Sequence, residues 1–277
     1  MWRSSVVTAG LRFGRSVEFK GAESEREIEL QAAKTVVLFD IDGTLLVTRG
    51  HGLAAMLAVG KALFGEGFRS DGVEFAGRLD PLIVGDLFDL SGVPRTAENF
   101  SRLRSGYGAE LVRRLNVHPP LALEGGAALV NAVSAHPDAI AGVMTGNYVE
   151  CGTAKLSAIG IDPTVFQIGV WGDESPHDPP HRDHLPGVAL SRAAEAGFGT
   201  VRGVVIGDTP MDVRCAHAHG MRAMGVATGK FNVDDLSGAG ADLVVQNLAE
   251  TQSLLDWIVG APGYHSAART AGSRERT

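Results

Sequence analysis

Val36-Val37-Leu38-Phe39-Asp40-Ile41-Asp42-Gly43-Thr44-Leu45-Leu46 is the stretch that decides the fold. Val36–Phe39 is a short run of apolar residues, the signal of a strand buried on both faces. Asp40 and Asp42 follow at its C-terminal end. In open parallel sheets, ligands gather at the carboxyl ends of strands. In an extended chain, residues two apart point to the same side. Two carboxylates held that close are costly unless a cation or a proton intervenes. The stretch therefore reads as a strand that delivers a site.

The same pattern recurs downstream. Ala139–Met144 is a second apolar run, ending at Thr145-Gly146-Asn147, and Val201–Ile206 reads as a further strand, ending at Gly207-Asp208. Weaker strand signals cover Val165–Val170, Arg222–Val226 and Leu243–Val245. Helical periods predict helices over Gly126–Ala135, Tyr148–Ile159, Asp183–Ala196, Met211–His219 and Ala249–Ile258. Strands alternating with helices imply right-handed crossovers and a parallel sheet covered on both faces. Between Thr44 and Ala139 the pattern changes. Helices are predicted over Leu53–Phe64, Pro81–Leu90 and Ala97–Leu115, with no strand signal of comparable strength. This segment reads as a helical insert.

Composition narrows the function classes. The chain has 277 residues, a formal charge of −7 and no long basic run, which speaks against nucleic acid as a partner. No apolar run approaches the ~18 residues needed to cross a bilayer. Two cysteines, Cys151 and Cys215, form neither a disulfide framework nor a C-x-x-C pair, so a reducing cytoplasm is expected. Met1–Lys20 carries Arg3, Arg12 and Arg15 with no acid before Glu18, a mild likeness to a transit peptide. An unstructured leader is the preferred reading.

The residues at the three strand ends have a chemistry in common. Asp40, Asp42 and Asp208 offer hard oxygen ligands suited to Mg²⁺, which keeps waters and a substrate phosphate in its shell. Asp40 can act as a nucleophile toward phosphorus. Asp42 can protonate the leaving oxygen and then take a proton from water. Gly43 permits a sharp turn that turns main-chain N–H groups to the phosphoryl oxygens. Thr145 supplies a hydroxyl, and the helix beginning at Tyr148 offers an N-terminus that attracts anions. Asp212 is placed to orient a cation.

These motifs resemble those of the haloacid dehalogenase-like (HAD) phosphohydrolase superfamily. Asp40-Ile41-Asp42-Gly43-Thr44 matches its first motif, Val143-Met144-Thr145-Gly146-Asn147 its second, and Gly207-Asp208-Thr209-Pro210-Met211-Asp212 its fourth. The resemblance implies a Rossmann-like α/β fold and a Mg²⁺-dependent phosphohydrolase that forms an aspartyl-phosphate on a small phosphorylated metabolite. It implies Asp40, Asp42, Thr145 and a cation as catalytic residues, and Asp40, Asp42 and Asp208 as metal ligands. Gly43, Thr44, Gly146 and Asn147 would bind substrate, with Asp212 behind them. The third motif departs from the usual lysine. Arg182, just before the Asp183–Ala196 helix, is the preferred cation; Lys155, in the helix after the second motif, is its rival, and Lys230 a more distant one.

The long insert after the first motif resembles the helical cap of the phosphoglycolate-phosphatase-like subgroup. The expected division is a tail with a short helix over 1–34, the α/β core over 35–48 and 120–260, the cap over 49–119, and a disordered tail over 261–277. Gly77-Arg78-Leu79-Asp80 resembles a substrate-facing cap loop, so Arg78 is a candidate for a second anionic or hydroxyl group. A sugar phosphomutase and a non-catalytic phospho-ligand binding module are the alternatives. Dehalogenation would leave Asp42 superfluous, and imine-forming phosphonate cleavage would need a cap lysine other than Lys61. His177 and His181 are four apart, but Pro179 and Pro180 forbid a helix there, so they read as loop residues.

Overall fold

The computed structural model describes residues 34–199 and 201–260; the two expected tails lie outside the described residues, save Lys34. The chain runs β1 (Lys34–Phe39), β2 (Leu46–Val47), α1 (His51–Phe64), α2 (Asp80–Ser91), α3 (Ala97–Val117), β3 (Leu121–Ala122), α4 (Gly126–Ala135), β4 (Ala139–Met144), α5 (Val149–Ala158), β5 (Ile168–Val170), α6 (Leu185–Glu195), β6 (Val201–Gly207), α7 (Pro210–Ala218), β7 (Arg222–Val226), α8 (Val233–Gly238), β8 (Leu243–Val245) and α9 (Thr251–Val259).

Six of the strands form one parallel sheet in the order β5-β4-β1-β6-β7-β8. Period-two alternation inside β1 explains why Val36–Phe39 is apolar on both faces. Val37 and Phe39 pack with α4, α5 and α9, whereas Val36 and Leu38 pack with α6 and α7 on the other face. The chain leaves β1 toward β4 and β5 and then returns to β6, on the opposite side of β1. That reversal opens a crevice at the carboxyl ends of β1, β4 and β6.

Helices α1, α2 and α3 build a third cluster of their own, around Phe68, Phe88, Leu103 and Tyr107. Leu103, Tyr107, Leu111 and Leu115 recur every four residues along α3 and are buried. Thr96 starts that helix by accepting the Asn99 amide at 3.2 Å. The chain passes into and out of this helical unit through a two-stranded antiparallel ribbon, β2 with β3. The unit also packs on α5: Tyr148 and Cys151 belong to its apolar cluster. Arg104 reinforces that contact by reaching Glu150 at 2.7 and 2.9 Å and Asp173 at 2.6 Å.

Two stretches differ from their sequence reading. Val165–Val170 is a strand only over Ile168–Val170, because Asp162 caps a 3₁₀ turn at Pro163–Val165 through the Thr164 amide. The helix expected from Asp183 begins at Leu185, after a separate turn over Arg182–His184. No helix among the described residues is long and apolar enough to cross a membrane.

Candidate active site

Parallel pairing puts the ends of β1, β4 and β6 side by side. Asp40, Thr145 and Asp208 therefore border one cavity of about 570 Å³, together with Asp42, Gly43, Gly146, Asn147, Arg78, Lys155 and Arg182. Carboxylate oxygens of Asp40, Asp208 and Asp212 lie within 4.8 Å of one another. Burial raises the pKa of both Asp40 and Asp208. At Asp40 the Arg182 charge opposes that rise, and at Asp208 the Asp40 charge adds to it.

The fourth motif is built by a helix cap. Thr209 accepts the Asp212 amide, and Asp212 Oδ2 returns to the Thr209 N–H at 3.1 Å and hydroxyl at 2.7 Å. Pro210 fills the first helical position. Asp212 Oδ1 is left for Arg182 Nη2, at 2.6 Å. The same nitrogen donates to Asp40 Oδ1 at 2.8 Å. Arg182 is 4% exposed, and burial would lower its pKa, but Asp212 and Asp40 raise it well above the usual value.

Arg182 is positioned by its neighbours in sequence. His181 caps the Arg182–His184 turn through the Asp183 amide, at 3.2 Å. His219, at the end of α7, lies 2.7 Å from the Asp183 carbonyl oxygen. The histidines at 177, 181 and 184 do not border the cavity.

Lys155 serves the other aspartate. Its Nζ donates to Asp42 Oδ2 and to Asn147 Oδ1, each at 2.6 Å, and Asn147 Nδ2 donates to Asp42 Oδ2 at 2.7 Å. Burial alone would lower the pKa of Lys155; the charges of Asp42 and Asp80 turn the shift upward. The rivals Arg182 and Lys155 are thus both in the site, one on each aspartate of the first motif. Lys230 also borders the cavity but is exposed.

Several expected residues are placed otherwise than the sequence implied. The Asp42 carboxylate is taken up by Lys155 and Asn147 and stands outside the cluster of Asp40, Asp208 and Asp212. Gly43 adopts φ +86°, but its N–H closes the turn onto the Leu46 carbonyl at 2.8 Å instead of facing the cavity. Thr44 is fully buried, does not border the cavity, and its hydroxyl has no hydrogen-bond partner among the described residues. Arg78 borders the cavity with its guanidinium on Asp86 at 2.7 Å and on the Glu74 carbonyl at 3.2 Å. The first amide of the α5 turn, Tyr148 N–H, is occupied by Asp80 Oδ2 at 3.0 Å.

The donor set fits a hard divalent cation. Asp208 Oδ1 is buried and has no hydrogen-bond partner among the described residues. A Cβ at Gly43 or at Gly229 would overlap the Asp208 carboxylate, so two glycines make room for it. An oxygen left bare in a close-fitting acidic pocket is what a ligating oxygen needs.

The family model for haloacid dehalogenase-like hydrolases matches residues 37–217. The chain belongs to that family. A second model, described as HAD-hydrolase-like, matches residues 186–251 of this HAD hydrolase. No curated protein matches the chain significantly. Among solved structures, a hydrolase from Pseudomonas syringae is 23% identical, with a TM-score of 0.58 over 81% of this chain and 99% of that one. A predicted phosphoglycolate phosphatase from Haemophilus somnus is 18% identical, with a TM-score of 0.57 over 81% and 98%. CbbY from Rhodobacter sphaeroides, solved with phosphate, is 18% identical, with a TM-score of 0.60 over 78% and 96%. At these identities the likeness is one of fold.

Tyr107, Thr228 and Gly229 border the cavity of this HAD hydrolase without any role assigned from sequence, and Asp80 was placed only within a cap loop. Thr228, just beyond β7, donates its hydroxyl to the Gly43 carbonyl at 2.5 Å. The position of Thr228 beyond a sheet strand was the available signal, since the ends of β1, β4 and β6 had already been read that way.

Proposed function

We propose that this HAD hydrolase is a Mg²⁺-dependent phosphohydrolase acting on a small phosphomonoester through an aspartyl-phosphate at Asp40. The observation that carries the reading is the pairing of Asp40 with Arg182 beside the bare oxygen of Asp208. Asp40 and Asp208 would hold the metal. Asp42, whose carboxylate is occupied by Lys155 and Asn147, is assigned to proton transfer. When bound, the cation offsets the repulsion between a carboxylate and a phosphate dianion.

The residues of the chain divide the remaining work. Asp40 bonds to phosphorus as the ester P–O bond breaks, and Asp42 delivers a proton to the departing oxygen. Water then attacks phosphorus, Asp42 takes its proton, and the bond from phosphorus to Asp40 breaks to release inorganic phosphate. Arg182 holds Asp40 in line and balances the charge that builds on the phosphoryl oxygens. Lys155 and Asn147 fix the position of Asp42, and Thr145 supports Asn147 by accepting from its Nδ2 at 2.7 Å. The helical unit over the cavity serves as a cap that excludes water and macromolecules. Cytoplasmic location belongs to the same reading, supported by two buried free cysteines.

A phosphomonoester panel assayed for phosphate release, with Mg²⁺ and with chelator, tests this. Release that needs Mg²⁺ and no bisphosphate activator is expected. A requirement for a bisphosphate activator would move the assignment to a phosphomutase, and silence across the panel would leave a binding module.

A further inference from the structure

The wall that the cap gives to the cavity is apolar. It is made by Leu53, Met56, Phe75, Ile83 and the ring of Tyr107. Met56, Ile83 and Tyr107 are each buried to 96% or more. Among the buried side chains that the cap gives to the cavity, one is charged, the Asp80 carboxylate, itself 6% exposed. It is fixed from two sides, because Asp80 N–H donates to the Gly146 carbonyl at 2.7 Å and Asp80 Oδ2 accepts from Tyr148.

The cations bordering the cavity are committed elsewhere or exposed. Arg182 is held by Asp40 and Asp212, Lys155 by Asp42 and Asn147, and Arg78 by Asp86. Arg49 and Lys230 are exposed to solvent. A second anionic group held against the buried wall would lose its water and face Asp80, and the exposed Arg49 and Lys230 would offset that only weakly through solvent screening. An apolar body would be favoured there, and a hydroxyl or ammonium could donate to Asp80.

We infer that the leaving group of the substrate has an apolar body, carries no second negative charge, and presents a hydroxyl or ammonium donor to Asp80. This rests on the phosphohydrolase reading of the same site. It separates the chain from an enzyme for carboxylated or doubly phosphorylated esters.

The test uses two aryl phosphates with matched bodies, 4-(2-aminoethyl)phenyl phosphate and 4-(2-carboxyethyl)phenyl phosphate. Phenyl phosphate is the reference, since leaving-group chemistry is nearly constant across the three. With Mg²⁺ at about pH 8.5, where Asp80 is ionised, the wild-type kcat/KM for the ammonium compound should exceed that for the carboxylate by about tenfold, the effect of one well-placed charge. Asp80→Asn keeps an acceptor for the Tyr148 amide and removes the charge, so the ratio should fall toward one. Equal or faster turnover of the carboxylate by the wild type would overturn the inference. So would a ratio unchanged in Asp80→Asn. Calorimetric binding of the same pair to the Asp40→Asn variant reads the preference without turnover. Failure to hydrolyse phenyl phosphate therefore counts against the phosphohydrolase reading, and reversed binding order counts against the inference.

Discussion

Arg182 Nη2 lies 2.8 Å from Asp40 Oδ1, across 142 residues of sequence, and both side chains are buried. One guanidinium nitrogen is shared with Asp212 at 2.6 Å. Removing it leaves two buried carboxylates unpaired. Arg182→Met should destabilise the fold by about 3–5 kcal/mol, the cost of breaking a buried pair, and lower kcat by roughly 10²–10³. Arg182→Lys should recover part of both, because an ammonium keeps the charge and loses the planar fork. Thermal melts beside kcat measure the two effects separately.

Lys155 and Asp42 form a second pair, at 2.6 Å. If Lys155 acts by holding Asp42, the two should not contribute independently. Asp42→Asn and Lys155→Met should each lower kcat by about 10²–10⁴. The double variant should lose little more than the worse single one, as expected for groups acting as a unit. A double-mutant cycle on kcat/KM checks this, and fully multiplicative losses would separate the roles.

Metal and pH are linked through the acidic pocket. Burial raises Asp40 from 3.8 to about 7 and Asp208 from 3.8 to about 8. A carboxyl whose folded pKa is raised binds its proton more tightly when folded. Its contribution to stability is therefore greatest at low pH and declines as pH rises from the unfolded value through the folded one. In chelator, the melting temperature should fall between about pH 4 and pH 8. Asp80, raised to about 7 by burial against the opposing Lys155 charge, acts in the same direction. Mg²⁺ should restore more stability at pH 8 than at pH 5.5, because protons compete with it at the same oxygens. Melts with and without Mg²⁺ across this range give the comparison.

Gly229 makes room for Asp208, and a Cβ there would overlap the carboxylate. Gly229 is exposed, so Gly229→Ala should leave most of the fold intact. Displacing the ligand oxygen should weaken Mg²⁺ by about 10–100-fold, the range seen when support for a metal ligand is removed. Mg²⁺ titration of activity and of melting temperature should report the same loss.

The central strands were legible because their sequence was unambiguous. β1, β4 and β6 carry apolar stretches just before Asp40, Thr145 and Asp208, and parallel pairing alone brings those ends together. The β2–β3 ribbon was not legible, since two residues on each side carry no period. Asp80 was read only as part of a cap loop. Its contact with Tyr148 spans 68 residues, and no local pattern announces it. Lys155 had a readable signal. It shares the buried side of α5 with Cys151 and Gly152, and a lysine on an apolar helix face needs a partner. Asp42 was assigned to the metal beside Asp40 and Asp208 on its oxygen chemistry and on the resemblance of the first motif. Where its carboxylate points depends on Lys155 and Asn147, which β4 and α5 bring from more than a hundred residues away.

The most direct measurement is to find the covalent intermediate. Enzyme turning over a hydrolysable phosphomonoester with Mg²⁺ is quenched in acid, reduced with borohydride and mapped by peptide mass spectrometry. The account predicts conversion of Asp40 to homoserine, absent when substrate or Mg²⁺ is withheld. Rapid phosphate release with Asp40 unmodified, and equal release by Asp40→Asn, would contradict it.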